Sequence, residues 1–446
     1  MKKTLLTTFL PALLLLSAAA YAKSAMPGDN EVKLSAEVGT PVVLAGQKQT
    51  TYLKIGLTGF DLPAAKERPP INLAVVIDRS GSMSGDRIVR AKEAAILLLD
   101  RLDERDIVSI ITYDSTVDVL VPATRATDRG AIRAQIERIQ PRGSTALFAG
   151  VSQGAHELRK FLDKNRVNRV ILLSDGQANV GPSSPNELGR LGLSLGKEGI
   201  AVTTIGLGLG YNEDLMAQLA QNSDGNHAFV ENAGELAKIF DAELGDVLSV
   251  VAQEVSVKVR FAPGVRPVKG LNRDAEIRGD TAYLALNQLY SRQEKYFLLE
   301  LEIPAGKGGT SQDLASVEVS YGNMLTKKTA RLATSVGISY SEALAEVEKN
   351  ANQPVMVSAI EAIATANTKR AVSLRDKGDV TQAKQVLLDN ANYLNENAAR
   401  YRAPKLKSYS SANEEDAKNL DNNDQWNKQR KNMKKSAYTR DMQQSY

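Results

Sequence analysis

The chain has 446 residues, 43% of them hydrophobic and 24% charged, with a formal net charge of +4 and no cysteine. That length suits two or three packed domains rather than one small module. So small a net charge offers no field to gather nucleic acid or anionic lipid, and the lack of cysteine excludes disulfides, cysteine catalysis and a lipidated-cysteine anchor.

Residues 1–22 read as a secretory signal. Lys2 and Lys3 precede an apolar stretch from Leu5 to Ala20, and Ala20, Tyr21 and Ala22 give the small-residue pattern of cleavage before Lys23. The mature chain is expected to be periplasmic or secreted, with a charge of about +2 once both lysines are removed. No other segment has the ~20 apolar residues of a membrane-spanning helix.

Residues 23–69 alternate apolar and polar in EVKLSAEV, PVVLAG and QTTYLKIGL, with Gly39, Pro41 and Gly46 between the runs, which predicts hairpin-like strands. From Ile71 the pattern changes to apolar strands separated by amphipathic helices, through INLAVVI, DIVSIITY, NRVILLS, IAVTTIG and HAFVE. Strand–helix alternation at this spacing predicts an α/β doubly wound, mostly parallel sheet over residues 70–246. In its first helix Ala91, Ala95, Leu98 and Leu102 fall on one face, which should pack on the sheet. Such sheets bind ligands at the carboxyl ends of their strands.

Those ends carry the candidate site. INLAVVIDRSGSM places Asp78, Ser80 and Ser82 at alternate positions after the first strand; RGSTAL supplies Thr145, and RVILLSDGQ supplies Asp175 directly after another strand. An all-oxygen set of carboxylates and hydroxyls suits a hard cation, Mg²⁺, Mn²⁺ or Ca²⁺, rather than zinc or copper. With only two carboxylates it should retain waters or an open position. The chain here resembles the von Willebrand factor A (VWA) family, whose metal-ion-dependent adhesion site (MIDAS) follows the pattern DxSxS, then Thr, then Asp on three loops. The segment IGLGLGYNEDLMAQLAQNSDGNHAFVEN is also similar to bacterial members. The resemblance implies a Rossmann-like fold and a non-enzymatic, adhesion-type role in which the bound ion receives an Asp or Glu carboxylate from a partner protein.

Other readings fit less well. Gly206, Gly208 and Gly210 lack the third glycine of a dinucleotide loop, since position 211 is Tyr, and are expected to turn the backbone beside the metal loops. RSGSMSG puts Met83 where a nucleophile elbow needs Ser. His156 and His227 are far in sequence from the Asp/Ser cluster, which disfavours a hydrolase. A structural or assembly factor of a cell-envelope complex, its loops ordered by metal, is the main alternative.

Residues 247–338 return to alternation in QEVSVKVRF, DTAYLALNQL, KYFLLELEIP and LASVEVSYGN. Neither flank is large enough for a good sandwich alone, so the expected arrangement is one antiparallel β-sandwich with the α/β domain inserted between its strands. Integrins and inter-α-trypsin inhibitor heavy chains are similar in carrying strands on both sides of such a domain. Residues 339–402 predict a helical hairpin region turning at Gly378. Residues 403–446 are rich in Asn, Lys, Gln and Ser and are expected to be a disordered polar tail, with Lys428, Arg430, Lys431, Lys434 and Lys435 as a solvated run.

Overall fold

The computed structural model describes residues 30–62, 68–175 and 178–444. The expected secretory segment lies outside them. Three strands come first, β1 (Lys33–Val38), β2 (Val42–Leu44) and β3 (Gln49–Thr58), with the period-2 burial that their alternating sequence requires.

The α/β unit follows: β4 (Ile71–Asp78), α1 (Asp86–Arg101), β5 (Ile107–Tyr113), β6 (Val117–Arg125), α2 (Arg129–Glu137), α3 (Leu147–Arg159), β7 (Val167–Ser174), α4 (Pro185–Lys197), β8 (Ile200–Leu207), α5 (Glu213–Asn222), β9 (His227–Val230) and α6 (Leu236–Leu248). Its sheet has the order β6-β5-β4-β7-β8-β9, parallel except for β6. β4, β5, β7 and β8 are buried along their whole length, as continuous apolar runs in a parallel sheet must be. Helices α1, α2 and α6 cover one face, through residues such as Ala91, Leu98, Ile132 and Phe240. Helices α3, α4 and α5 cover the other, through Leu147, Leu188 and Leu215.

The chain then forms β10 (Val250–Phe261), β11 (Arg266–Gly270), β12 (Glu276–Arg278), β13 (Thr281–Tyr290), β14 (Glu294–Ile303), β15 (Ser311–Asn323) and β16 (Lys328–Ser341). With β1–β3 these build two facing sheets, β1-β3-β14-β11 and β12-β13-β10-β15-β16-β2, around one apolar core that includes Leu53, Ile55, Val257, Leu299 and Val317. The α/β domain is therefore inserted in a β-sandwich drawn from both flanks. One pair departs from the antiparallel expectation, because β2 runs parallel to β16. The ends of the insertion are adjacent: Gly59 bridges Ser291, whose N–H donates to Ser249 O at 2.7 Å. A Cβ on Gly59 would lie 2.1 Å from Tyr290 O, so only glycine permits this approach. Two boundaries run past the expected ones. α6 continues to Leu248 because Val247 still faces the core, and β16 continues to Ser341 because Ile338 and Tyr340 keep the buried alternation.

The C-terminal region is α7 (Leu344–Lys349), α8 (Gln353–Asp376), α9 (Val380–Arg400), α10 (Pro404–Asn419) and α11 (Asn423–Asp441). The expectation of a disordered tail from 403 is overturned. α10 contributes Leu406 and Ala417, and α11 contributes Met433, to apolar clusters with α8 and α9. Most of the basic run is not solvated either, Lys428 alone of the five being exposed. Lys431 Nζ is buried and donates to Tyr211 O at 2.8 Å and to Glu213; Arg430 reaches Glu213, Asp214 and Asp376; Lys428 pairs with Glu231 at 2.9 Å. α11 thereby lies along the edge strand β9, where Tyr438 Oη donates to Gly225 O at 2.6 Å, and shields an otherwise open sheet edge. At its end, buried Lys295 of β14 donates to Met442 O and Gln443 O at 2.6 and 3.0 Å.

Candidate metal centre

β4 and β7 are neighbours, yet the helix after β4, α1, packs on one face of the sheet and the helix after β7, α4, on the other. The two connections diverge and leave a crevice at the carboxyl ends of the strands. Asp78 is the last residue of β4 and Asp175 directly follows β7, so both carboxylates face that crevice's floor. Asp78 and Asp175 are buried. Asp78 Oδ1 accepts from Ser80 N at 2.8 Å and its Oδ2 from Ser174 Oγ at 2.7 Å.

After Asp78 the chain makes a 3₁₀ turn, Gly81–Met83, pinned by Met83 in the core. This turn presents the serines in sequence. Ser80 Oγ and Ser82 Oγ are 3.0 Å apart, and Ser82 Oγ donates to Asp175 Oδ1 at 2.7 Å. Ser80 is buried whereas Ser82 is exposed, so the site opens beside Ser82. Thr145 stands on a neighbouring loop. Arg142 N donates to Arg79 O at 2.7 Å and Gly81 N to Gly143 O at 3.1 Å, which fastens that loop to the serine turn. Thr145 N donates to Asn179 Oδ1 at 2.8 Å, while Thr145 O accepts from Asn179 N and Val180 N at 3.1 and 3.3 Å, which fastens it to the loop after Asp175. Four of the five expected residues are thus linked by direct hydrogen bonds; Thr145 is bonded to none of them and is held on the neighbouring loop through Asn179 and Val180.

Burial pushes the Asp78 carboxyl up to about 6, and the nearby Asp175 charge acts in the same direction. A cation would relieve both costs. Among the described residues no group of three or more His, Cys, Asp or Glu side chains could hold a metal, but a site with two carboxylates and three hydroxyls does not need one. The donor set, all oxygen with buried and mutually repelling carboxylates, fits a hard divalent ion.

Other residues shape the site without having been expected. Asp114, at the end of β5, accepts from Arg79 Nε and Arg142 Nε at 2.8 Å each, and Ala146 N donates to its backbone O at 2.7 Å. Burial alone would raise its carboxyl; hydrogen bonds from Arg142 and Thr116, with the Arg79 charge, hold it at about 2. Its position after an apolar strand, like that of Asp78, was a usable clue. Arg87, in the first turn of α1, pairs with Asp175 Oδ2. The glycines after β8 lie beside this group: Gly208 has φ +73°, and a Cβ there would approach Arg87 Nη2 to 3.2 Å.

Residues 72–242 match the sequence profile of the von Willebrand factor type A domain. This segment is a VWA domain. Similar curated proteins include the uncharacterized protein YfbK of Escherichia coli (strain K12), 30% identical over 218 residues, 48% of this chain and 38% of that protein. The uncharacterized protein sll0103 of Synechocystis sp. is 29% identical over 244 residues, 52% of this chain and 57% of that protein. The aligned part therefore spans well under two thirds of either relative. Among solved structures, the von Willebrand factor type A protein from Catenulispora acidiphila aligns with a TM-score of 0.68 at 15% identity, over 89% of this chain and 92% of that one. That likeness establishes the fold of a VWA domain together with its sandwich and helical segments. Among the described residues no helix is long and apolar enough to cross a membrane.

Proposed function

We propose that this protein is an exported binding protein whose VWA domain holds one divalent cation, Mg²⁺, Mn²⁺ or Ca²⁺, and uses it to capture an acidic side chain of a partner protein. The observation that carries the reading is the convergence of Asp78, Ser80, Ser82, Thr145 and Asp175 from three loops, with Ser82 at the opening. Asp78 and Asp175 would supply the charge, and Ser80, Ser82 and Thr145 neutral oxygens. An ion held by few charges stays attractive to a further carboxylate. Export rests on the secretory-type residues 1–22.

Binding suits the site better than catalysis, because Ser80 and Ser82 direct their hydroxyls to each other and to Asp175 rather than to a base. His227 is instead held between Thr204 Oγ1, at 2.8 Å, and Tyr211, and burial pushes its imidazole down to about 4. A purely loop-ordering metal, as in an assembly scaffold, is less supported, since backbone bonds and Asp114 already tie the loops together.

A pull-down from cell-envelope extract tests the proposal. A partner should be retained in Mg²⁺, released by chelator, and lost both with Asp78→Ala and when one acidic residue of the partner becomes its amide. Retention that ignores chelator and Asp78→Ala would refute it.

A further inference from the structure

Arg87 occupies an unfavourable place for its charge. It is the second residue of α1, where the helix dipole favours acidic side chains and opposes basic ones. Its side chain is 41% exposed while that of Asp175 is 0% exposed, yet the guanidinium reaches inward to Asp175 Oδ2 and donates from Nη1 to Ser82 O at 3.2 Å. It therefore touches two of the five residues of the metal centre. The backbone at Gly208 makes room beside it. Asp175 is left with one oxygen accepting from Ser82 Oγ and the other facing Arg87.

We propose that Arg87 sets the charge of this site: it neutralises Asp175, weakening cation affinity while leaving the bound cation more positive toward an anionic group of the partner. The proposal rests on the reading of the site as a metal centre. With Asp175 matched by Arg87, the net charge offered to the ion is that of Asp78 alone. The ion is then held less tightly and keeps more of its charge for an incoming carboxylate. Nη1 is taken by Asp175 and Ser82 O, so the other N–H groups of this 41% exposed side chain are the ones that can donate to the same incoming carboxylate.

The test uses the full mature chain with Mn²⁺ alone as probe, followed by electron paramagnetic resonance of the free ion at low ionic strength. Arg87→Ala and Arg87→Gln should each bind Mn²⁺ on the order of tenfold more tightly than the parent, because a nearby positive charge is removed. Arg87→Lys keeps the charge and should stay close to the parent. The Gln variant retains hydrogen-bond donors, so an effect shared by Ala and Gln but not Lys belongs to charge. Far-UV circular dichroism spectra of all variants should overlay that of the parent, while the Ala and Gln variants melt lower without metal, because buried Asp175 loses its cation, and recover in saturating Mn²⁺. A parent that binds Mn²⁺ with the Ala and Gln variants unchanged or weakened would overturn the role of Arg87. A parent that does not bind Mn²⁺ at all would overturn the metal-centre reading and the proposal with it.

Discussion

Asp114 shows how single residues hold this site in shape. One of its oxygens receives two guanidinium groups, and the other accepts from Thr116 N and Oγ1 at 2.8 and 3.0 Å. Its carboxyl lies at about 2 in the folded protein against 3.8 unperturbed, so the folded state binds this proton less tightly. The stability it contributes is present above pH 3.8 and fades as pH falls through about 2. Asp114→Asn should cost roughly 2 kcal/mol at pH 6, the scale of hydrogen bonds to charged groups. Denaturant melts should show the gap to the parent narrowing near pH 2; a constant gap would contradict this role. At the metal centre, Asp78→Ala removes a charged ligand and should abolish Mg²⁺ binding in titration calorimetry, whereas Thr145→Ala removes a neutral one and should weaken it by roughly tenfold. Equal binding by both variants and the parent would void the assignment. All five candidate ligands were legible in the sequence because each stands at a strand end or in a Gly-bearing turn. Arg79, Arg87 and Arg142 were not, because their carboxylate partners lie 28 to 88 residues away and no local pattern marks them.

Among the elements, α11 departs most from its sequence pattern. Read alone it is mostly polar, with Trp426, Met433, Ala437 and Tyr438 as its few apolar residues, and has no apolar stripe of the usual width. Its partners are acidic groups more than 190 residues earlier, Glu213, Asp214 and Glu231, so its docking depends on a charge match that composition cannot show. The strands of the α/β sheet were legible for the opposite reason, since β4, β5, β7 and β8 declare their burial in unbroken apolar runs. Arg430, with a side chain 17% exposed, meets three carboxylates. Arg430→Ala should lower stability by roughly 1–2 kcal/mol, because Asp376 loses its cation while Glu213 keeps Lys431 and Asp214 keeps Lys434. Hydrogen exchange should then reveal faster opening of α11 and β9 than of β4. Unchanged exchange in α11 would show that its apolar contacts suffice.

Over the whole molecule, the VWA domain and the sandwich meet through a buried polar seam. Arg169 of β7 donates to Thr203 Oγ1 and to Tyr290 Oη of β13, each at 2.8 Å, and lies 3.9 Å from Glu243 of α6. Burial pushes Glu243 up to about 7, partly offset by Arg169, so its cost to stability grows as pH rises from 4.5 toward 7. Arg169→Met leaves Glu243 buried without its cation and should destabilise the full chain by roughly 3–5 kcal/mol near pH 8, and by less near pH 5. A pH-independent loss would contradict this account of the seam. The insertion itself was readable from strands on both flanks, while the register that brings Gly59 to Ser291 was not, because it depends on packing between distant segments. The proposed ion would sit at the carboxyl ends of β4 and β7, beside Asp78 and Asp175. The most direct measurement is the anomalous difference map of a crystal of the full mature chain grown with Mn²⁺. The account predicts a peak bounded by Asp78, Ser80, Ser82, Thr145 and Asp175, absent from Asp78→Ala crystals; an empty crevice in the parent, with Mn²⁺ bound elsewhere or not at all, would contradict it.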